Sequence, residues 1–193
     1  MLNFSEIFDF VGLPHGLSLE DARQDWDRTV GRFLSQWEPP QALQIWKNAV
    51  KKFLDTLEAE AAENIMEGLL LLMKTRFLID PIIIGSDYRQ NLDKFDADYQ
   101  FRSKSGDINV LVKFHDGQMD WEKSLSEDVN ATLEFKDGQA LINYLFNYVV
   151  LQSRDFLQSI INNEIRVSGN LNYLYKFLFM ANHMLLEATG DLP

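Results

Sequence analysis

The sequence predicts an α+β fold, in which a five-stranded, mainly antiparallel sheet is covered on one face by helices and preceded by a helical extension. Apolar residues recur at helical spacing up to Pro81, alternate with polar residues from Phe95 to Lys136, and return to helical spacing afterwards. Alternation gives a strand one buried and one wetted face, which is typical of antiparallel sheets. The order of helices, four strands, two helices, one strand and a final helix places the helices on one face of the sheet.

The composition indicates a folded protein and excludes several classes of partner. Of the 193 residues, 46% are hydrophobic and 24% are charged, which suffices for a substantial core. We divide the chain into an N-terminal helical extension, residues 1–60, and a domain of residues 61–193. The absence of cysteine fits a cytoplasmic location, and no apolar run approaches the ~20 residues of a membrane-spanning helix. A net charge of −11, spread along the chain, disfavours nucleic acid as a partner.

Two stretches with helical periodicity precede the sheet, and both carry tryptophan. Ser18 caps the first, whose apolar stripe runs to Trp37 before Pro39-Pro40 ends the helix. The second stripe runs from Gln41 to Pro81, as one long helix or as two. Aromatic residues are enriched at interface cores. These helices therefore either join two copies in a homodimer or pack over the sheet domain.

Five strands follow from the two-residue alternation. Their ranges are Phe95–Arg102, Ile108–His115, Met119–Trp121, Val129–Lys136 and Ile165–Ser168. Asp116-Gly117 predicts a tight hairpin, because both central positions of a type I′ turn need a positive φ. Asp137-Gly138 has the composition of a second hairpin, but Leu141 and Tyr144 follow at helical spacing. We therefore interpret Asp137 as the N-cap of a helix.

The C-terminal helix carries the functional interpretation. Asn170 is a good N-cap, because its side-chain oxygen can accept a hydrogen bond from the first turn, and Gly190 is placed to end the helix. Apolar residues fill well over half of the circumference and leave one narrow polar strip. That strip comprises Asn172, Lys176, His183 and Glu187. An apolar stripe of about 100° seats a helix on a core, so the surplus must meet a second protein layer, a partner subunit or an apolar ligand.

Three segments together resemble the sterol carrier protein type 2 family, from about Phe77 to Leu186. They are the hairpin NVLVKFHDGQMDW, the strand and helix VNATLEFKDGQALINYL, and SRDFLQSIINNEIRVSGNLNYLYKFLFMAN. The resemblance implies a non-enzymatic carrier fold that holds sterols, fatty acyl chains or other lipids in an apolar tunnel between a five-stranded sheet and its helices. One departure from the family is Asn162-Asn163, which stands where the family often has a glycine.

The candidate lipid-binding residues are apolar side chains of the C-terminal helix and of the elements expected to face it. They are Val110, Val112, Leu145, Val149, Phe156, Ile160, Phe177, Leu178, Met180, Ala181, Met184 and Leu185. Each CH₂ removed from water contributes about 0.8 kcal/mol, so a long chain binds without a charged anchor. Methionine adapts to irregular shapes and suits a tolerant site. The competing interpretation is that these residues pack as ordinary core.

Catalysis is not expected from this sequence. The histidines His15, His115 and His183 have no nucleophile at a suggestive spacing, and no acidic or histidine spacing indicates a metal site. Phosphate-binding glycine loops are absent, so no cofactor is expected. The expected function is binding or transfer of an apolar small molecule. The alternative is a scaffold or accessory protein, for example in isoprenoid-quinone metabolism, whose apolar surface binds a partner chain.

Overall fold

The computed structural model describes residues 38–55, 62–83, 85–144 and 156–189. The helices are α1 (Pro39–Asp55), α2 (Ala62–Ile79), α3 (Gly138–Tyr144), α4 (Phe156–Ile161) and α5 (Leu171–Thr189). The strands are β1 (Ala97–Ser103), β2 (Asn109–His115), β3 (Gln118–Glu122), β4 (Ala131–Phe135) and β5 (Ile165–Gly169). Two 3₁₀ helices, Asp80–Ile82 and Tyr88–Leu92, lie between α2 and β1. The sequence also predicts a helix that Ser153 caps. That cap, the predicted first helix and the helix end expected at Gly190 lie outside the described residues.

The α+β prediction is confirmed, because the five strands form one sheet packed with helices. Their order is β3-β2-β1-β4-β5, and every neighbouring pair is antiparallel except the parallel pair of β1 with β4. The chain leaves β3 at one edge and crosses to β4 on the far side of β1. Gln100 anchors this crossing, because its side-chain oxygen accepts from the Ser126 N–H at 2.9 Å. Gln100 is thereby fully buried although it is polar.

On β3 one set of side chains is buried and the other is exposed, as the alternation predicts. On β1, β2 and β4 the prediction is wrong at Gln100, Leu111 and Thr132, which belong to the set expected to be wetted but are buried. On β3, Met119 and Trp121 are buried while Gln118, Asp120 and Glu122 are exposed. Three buried aromatic residues of β1 and β2 lie beneath α5, where their rings contact the ring of Phe177. They are Tyr99, Phe101 and Phe114.

The predicted local signals at turns and caps are confirmed. Asp116 and Gly117 have φ values of 52° and 72° and form the hairpin between β2 and β3. The side chain of Asp137 accepts from the Ala140 N–H at 3.0 Å and caps α3. The side chain of Asn170 accepts from the Asn172 N–H at 2.9 Å at the start of α5. Asn163, in the turn before β5, has a φ of 58°, a conformation that asparagine tolerates better than most residues.

Helices α1, α2 and α5 share the hydrophobic core with the sheet. The Trp46 indole N–H donates to the Leu72 carbonyl at 3.1 Å and joins α1 to α2. Helix α1 lies within the predicted N-terminal extension, yet its buried side chains belong to the same core cluster as those of β1 and β2. Within the stretch predicted as one helix or two, residues 39–55 and 62–79 are helical, and residues 56–61 lie outside the described part.

Candidate functional site

The inner face of α5 packs on the aromatic side chains of the sheet. The ring of Phe177 lies with its centroid 4.9 Å from that of Phe101 and 5.4 Å from that of Tyr99. The Tyr99 hydroxyl donates to the Tyr173 carbonyl at 2.6 Å, which fixes the first turn of the helix on β1. Burial raises the pKa of that hydroxyl, so it stays a hydrogen-bond donor. These contacts hold α5 firmly on the sheet.

Most of the predicted lipid-lining residues are brought together in the core by this packing. Eight have side chains that are at most 5% exposed, namely Val110, Val112, Phe177, Leu178, Met180, Ala181, Met184 and Leu185. Ile160 is partly buried and packs against the same core. The remaining predicted residues are Leu145 and Val149, which lie outside the described residues, and Phe156, whose side chain does too.

The outer face of α5 is also apolar, and it is exposed. Leu171, Tyr175 and Phe179 follow one another at intervals of four residues, so they form a stripe along one side of the helix. We call these three residues the outer stripe. Their exposed fractions are 54%, 56% and 55%. The sequence predicted more apolar surface on α5 than a core needs. The outer stripe is such surface, because each of its side chains is more than half exposed in the described part of the molecule.

The polar strip of α5 contacts the 3₁₀ segment and α2. The Lys176 ammonium donates to the Asn91 side chain at 2.7 Å, and burial lowers the pKa of Lys176. The Tyr88 hydroxyl donates to the Met180 carbonyl at 2.7 Å, and its ring contacts the edge of His183 with centroids 5.4 Å apart. Lys176 and His183 of the polar strip therefore attach α5 to the second 3₁₀ helix.

A buried ion-pair network lies at the C-terminal end of α5. The Arg76 guanidinium is 2% exposed, donates to Asp80 at 2.6 Å and to Glu187 at 2.9 Å, and lies over the ring of Tyr88. Burial acts to raise the pKa of Asp80, but hydrogen bonds from the Ser86 hydroxyl and the Arg89 N–H, together with Arg76, outweigh it and lower that pKa. The Asp80 carboxylate is thereby held as an anion, and the same guanidinium also binds Glu187, which makes this a structural network.

A small cleft lies away from α5, where α2 and the second 3₁₀ helix meet the β2–β3 hairpin. Its volume is about 100 Å³. Apolar and cationic side chains share the lining, which comprises Lys74, Phe77, Leu78, Arg89, Leu92, Gly117, Gln118 and Met119. None of these residues belongs to the predicted lipid-lining set. Sequence reasoning missed the cleft because Lys74 and Arg89 come from different elements. The one signal in the sequence was Lys74, a cation within the apolar run of α2.

The described ranges contain neither a metal site nor a membrane span. No group of three histidine or acidic side chains there is placed to hold a metal ion. No helix among the described residues combines the length and apolar character needed to cross a bilayer.

Comparison with known proteins places this chain in no family. No family model matches it, and no curated protein does. Among solved structures it is similar to a stereoselective inverting sec-alkylsulfatase from Pseudomonas sp., with a TM-score of 0.38 and 11% sequence identity. The similarity covers 91% of this chain and 32% of that one, so the chain spans about a third of the enzyme's length. Similarity at this level supports no functional conclusion.

Proposed function

We propose that this protein is a cytoplasmic, non-catalytic binding protein for an apolar small molecule, a sterol, fatty acyl chain or isoprenoid. The observation that carries the proposal is the apolar inner face of α5, which lies over the sheet. Phe177, Met180 and Met184 on that face are at most 2% exposed. Sites for apolar ligands are lined predominantly by hydrophobic and aromatic side chains of this kind.

The arrangement of the layers supports a ligand held between α5 and the sheet. The resemblance to the sterol carrier protein type 2 family implies a tunnel between a five-stranded sheet and its helices, and both layers are present here. A chain of ten CH₂ groups removed from water would gain about 8 kcal/mol from burial alone. Because Phe177, Met180 and Met184 fill this space, the proposal requires α5 to shift away from the sheet when the ligand enters.

A second candidate function is favoured by the outer stripe. Leu171, Tyr175 and Phe179 present apolar side chains that a partner chain would cover, as expected of a scaffold or accessory protein. The two functions place the bound molecule on different sides of α5. Substitutions at neighbouring positions of α5, one on the inner face and one on the outer stripe, therefore distinguish the two functions.

Titration of delipidated protein with a fluorescent fatty acid tests the proposal. Met180→Gln introduces an amide of similar size on the inner face, and Phe179→Gln makes the matched change on the outer stripe. We expect saturable binding by the unchanged protein, a loss of at least about tenfold in affinity for Met180→Gln, and little change for Phe179→Gln. Thermal melting establishes that both variants remain folded.

The opposite pattern would support the partner-chain function. Self-association measured by light scattering, lost on Phe179→Gln and unaffected by delipidation, would indicate that the outer stripe joins two chains. Absence of saturable binding to fatty acid, sterol and isoprenoid probes alike would overturn the carrier proposal.

A further inference from the structure

The cleft between α2 and the β2–β3 hairpin combines an apolar floor with a cationic rim. Phe77, Leu92 and Met119 lie at its floor and are at most 3% exposed. Lys74 and Arg89 lie at its rim and are only partly buried. A lining of this kind offers two chemistries side by side, because the floor accepts a hydrocarbon and the rim accepts a negative charge.

Arg89 has unused capacity for an anion. Its guanidinium donates to the carbonyls of Phe77 at 3.2 Å and Gly117 at 3.4 Å, which hold it across the cleft. Arg76 and Arg102 each pair with two carboxylates, whereas Arg89 pairs with none in the described part of the chain. A guanidinium has five N–H donors in a fixed fork. The two bonds to neutral carbonyls leave further N–H donors of the guanidinium, and its positive charge, for a ligand.

Lys74 brings a second positive charge to the same cleft. Its side chain is 12% exposed, and its ammonium lies 3.8 Å from the Asp120 carboxylate, which is 69% exposed. An ion pair with so exposed a partner contributes little. An anion in the cleft therefore competes with Asp120 for this ammonium.

We propose that this cleft binds a small monocarboxylate with a short apolar tail. The guanidinium of Arg89 would bind the carboxylate, with Lys74 supplying additional charge, and the tail would lie on Phe77, Leu92 and Met119. Since a cavity of about 150 Å³ holds one benzene ring, a cleft of about 100 Å³ suits a tail of about three or four carbon atoms. The site goes beyond the proposed function and does not depend on it.

Butyrate is the probe, and two analogues separate its features. Acetate retains the charge without the tail, and butan-1-ol retains the tail without the charge. Amide resonances are followed in ¹H–¹⁵N NMR spectra of the full chain. We expect butyrate to shift Gly117, Gln118 and Met119 saturably, with a dissociation constant of roughly 1 mM, and each analogue to bind at least about tenfold more weakly.

Substitutions at the rim test the assigned roles. Arg89→Gln should weaken butyrate binding at least about tenfold, and Asp120→Asn should strengthen it by removing a carboxylate that competes with the ligand for Lys74. Lys136→Gln removes an exposed cation far along the chain and serves as the matched control, which should leave binding unchanged. If Arg89→Gln does not fold, the Asp120→Asn result and the analogue comparison still decide the question.

Several results would overturn the site. Equal shifts with acetate would mean an adventitious ion only, and equal shifts with butan-1-ol would mean an apolar cleft without anion recognition. Tighter binding of dodecanoate at the same amides would contradict the size limit. Absence of saturable shifts in these residues would remove the site altogether, without bearing on the titration that tests the proposed function.

Discussion

The Arg76 guanidinium donates to the Glu187 carboxylate at 2.9 Å and so joins α2 to the last turns of α5. The two residues are 111 positions apart in the sequence. The same guanidinium also pairs with Asp80, which makes it the common cation of the network. Through Arg76 and the ring of Tyr88 beneath it, α2 and the second 3₁₀ helix hold the C-terminal half of α5 on the domain.

Removal of Arg76 should destabilise the protein strongly. Arg76→Leu leaves the buried Asp80 carboxylate and the partly buried Glu187 carboxylate without their cation, and breaking a buried pair in this way costs about 3–5 kcal/mol. Arg102→Leu is the control, because Arg102 is 29% exposed and one of its two partners, Glu127, is 87% exposed. That change should cost about 0–1 kcal/mol. Urea denaturation measures both, and equal costs would contradict a structural role for the network.

The hydroxyl of Tyr88 should contribute measurably to the docking of α5. It donates to the Met180 carbonyl at 2.7 Å, and the residue is 1% exposed. Tyr88→Phe removes this bond and should lower the free energy of unfolding by about 0.5–1.5 kcal/mol. Tyr175→Phe, on the exposed outer stripe, should have almost no effect. If the two variants unfold at the same urea concentration, the buried bond contributes nothing.

His115 should make stability depend on pH in one direction. Its Nε2 lies 2.7 Å from the Asp98 carboxylate, and Asp96 contacts its Nδ1. The hydrogen bond with Asp98, reinforced by the charges of Asp98 and Asp96, raises the pKa of His115. The folded state therefore binds this proton more tightly than the unfolded chain, so the stabilisation is complete below about pH 6.5 and disappears as the pH rises through the raised pKa.

Comparison of the unchanged protein with His115→Gln measures this effect. The difference in unfolding free energy should be largest near about pH 5.5 and close to zero near about pH 9. The imidazole is 47% exposed, so the difference should be modest and should decrease with added salt. Asp98→Asn should remove most of the pH dependence. A difference that grows as the pH rises would contradict the assignment.

The features predicted from the sequence are those whose physical cause is local. The hairpin at Asp116-Gly117 and the caps at Asp137 and Asn170 depend on residues within a few positions, and all three are found. The alternation of strand residues likewise indicates which side chains share a face, because successive side chains of a strand point to opposite faces. On β3 one of these faces is buried and the other is exposed. Fold class and element order followed from these signals.

The order of strands in the sheet and the contacts between residues far apart in the sequence could not be predicted from local patterns. Alternation indicates that β1 and β4 are strands, but it does not specify that they lie side by side in parallel. The contact of Arg76 with Glu187 and the shared cleft of Lys74 and Arg89 depend on how distant elements meet. A cation inside an apolar helix signals that a partner exists without identifying it.

For the candidate site, the sequence predicted how much apolar surface α5 carries but not how that surface is divided. Phe177, Met180 and Met184 pack inward on the core, and Tyr175 and Phe179 point to the exposed side. Helical periodicity gives the angular position of each residue around the helix axis. Only the position of the neighbouring elements decides which of these residues are buried. The division of this surface into a buried and an exposed part is therefore a property of the tertiary structure.

Mass spectrometry of an organic extract of the freshly purified full chain tests the carrier function most directly. The proposal predicts a sterol, fatty acid or isoprenoid present in near-equal amount to the protein, and much less of it in an extract of the Met180→Gln variant prepared in parallel. An extract without any such molecule, from protein that also fails to bind the fluorescent fatty acid after delipidation, would contradict it.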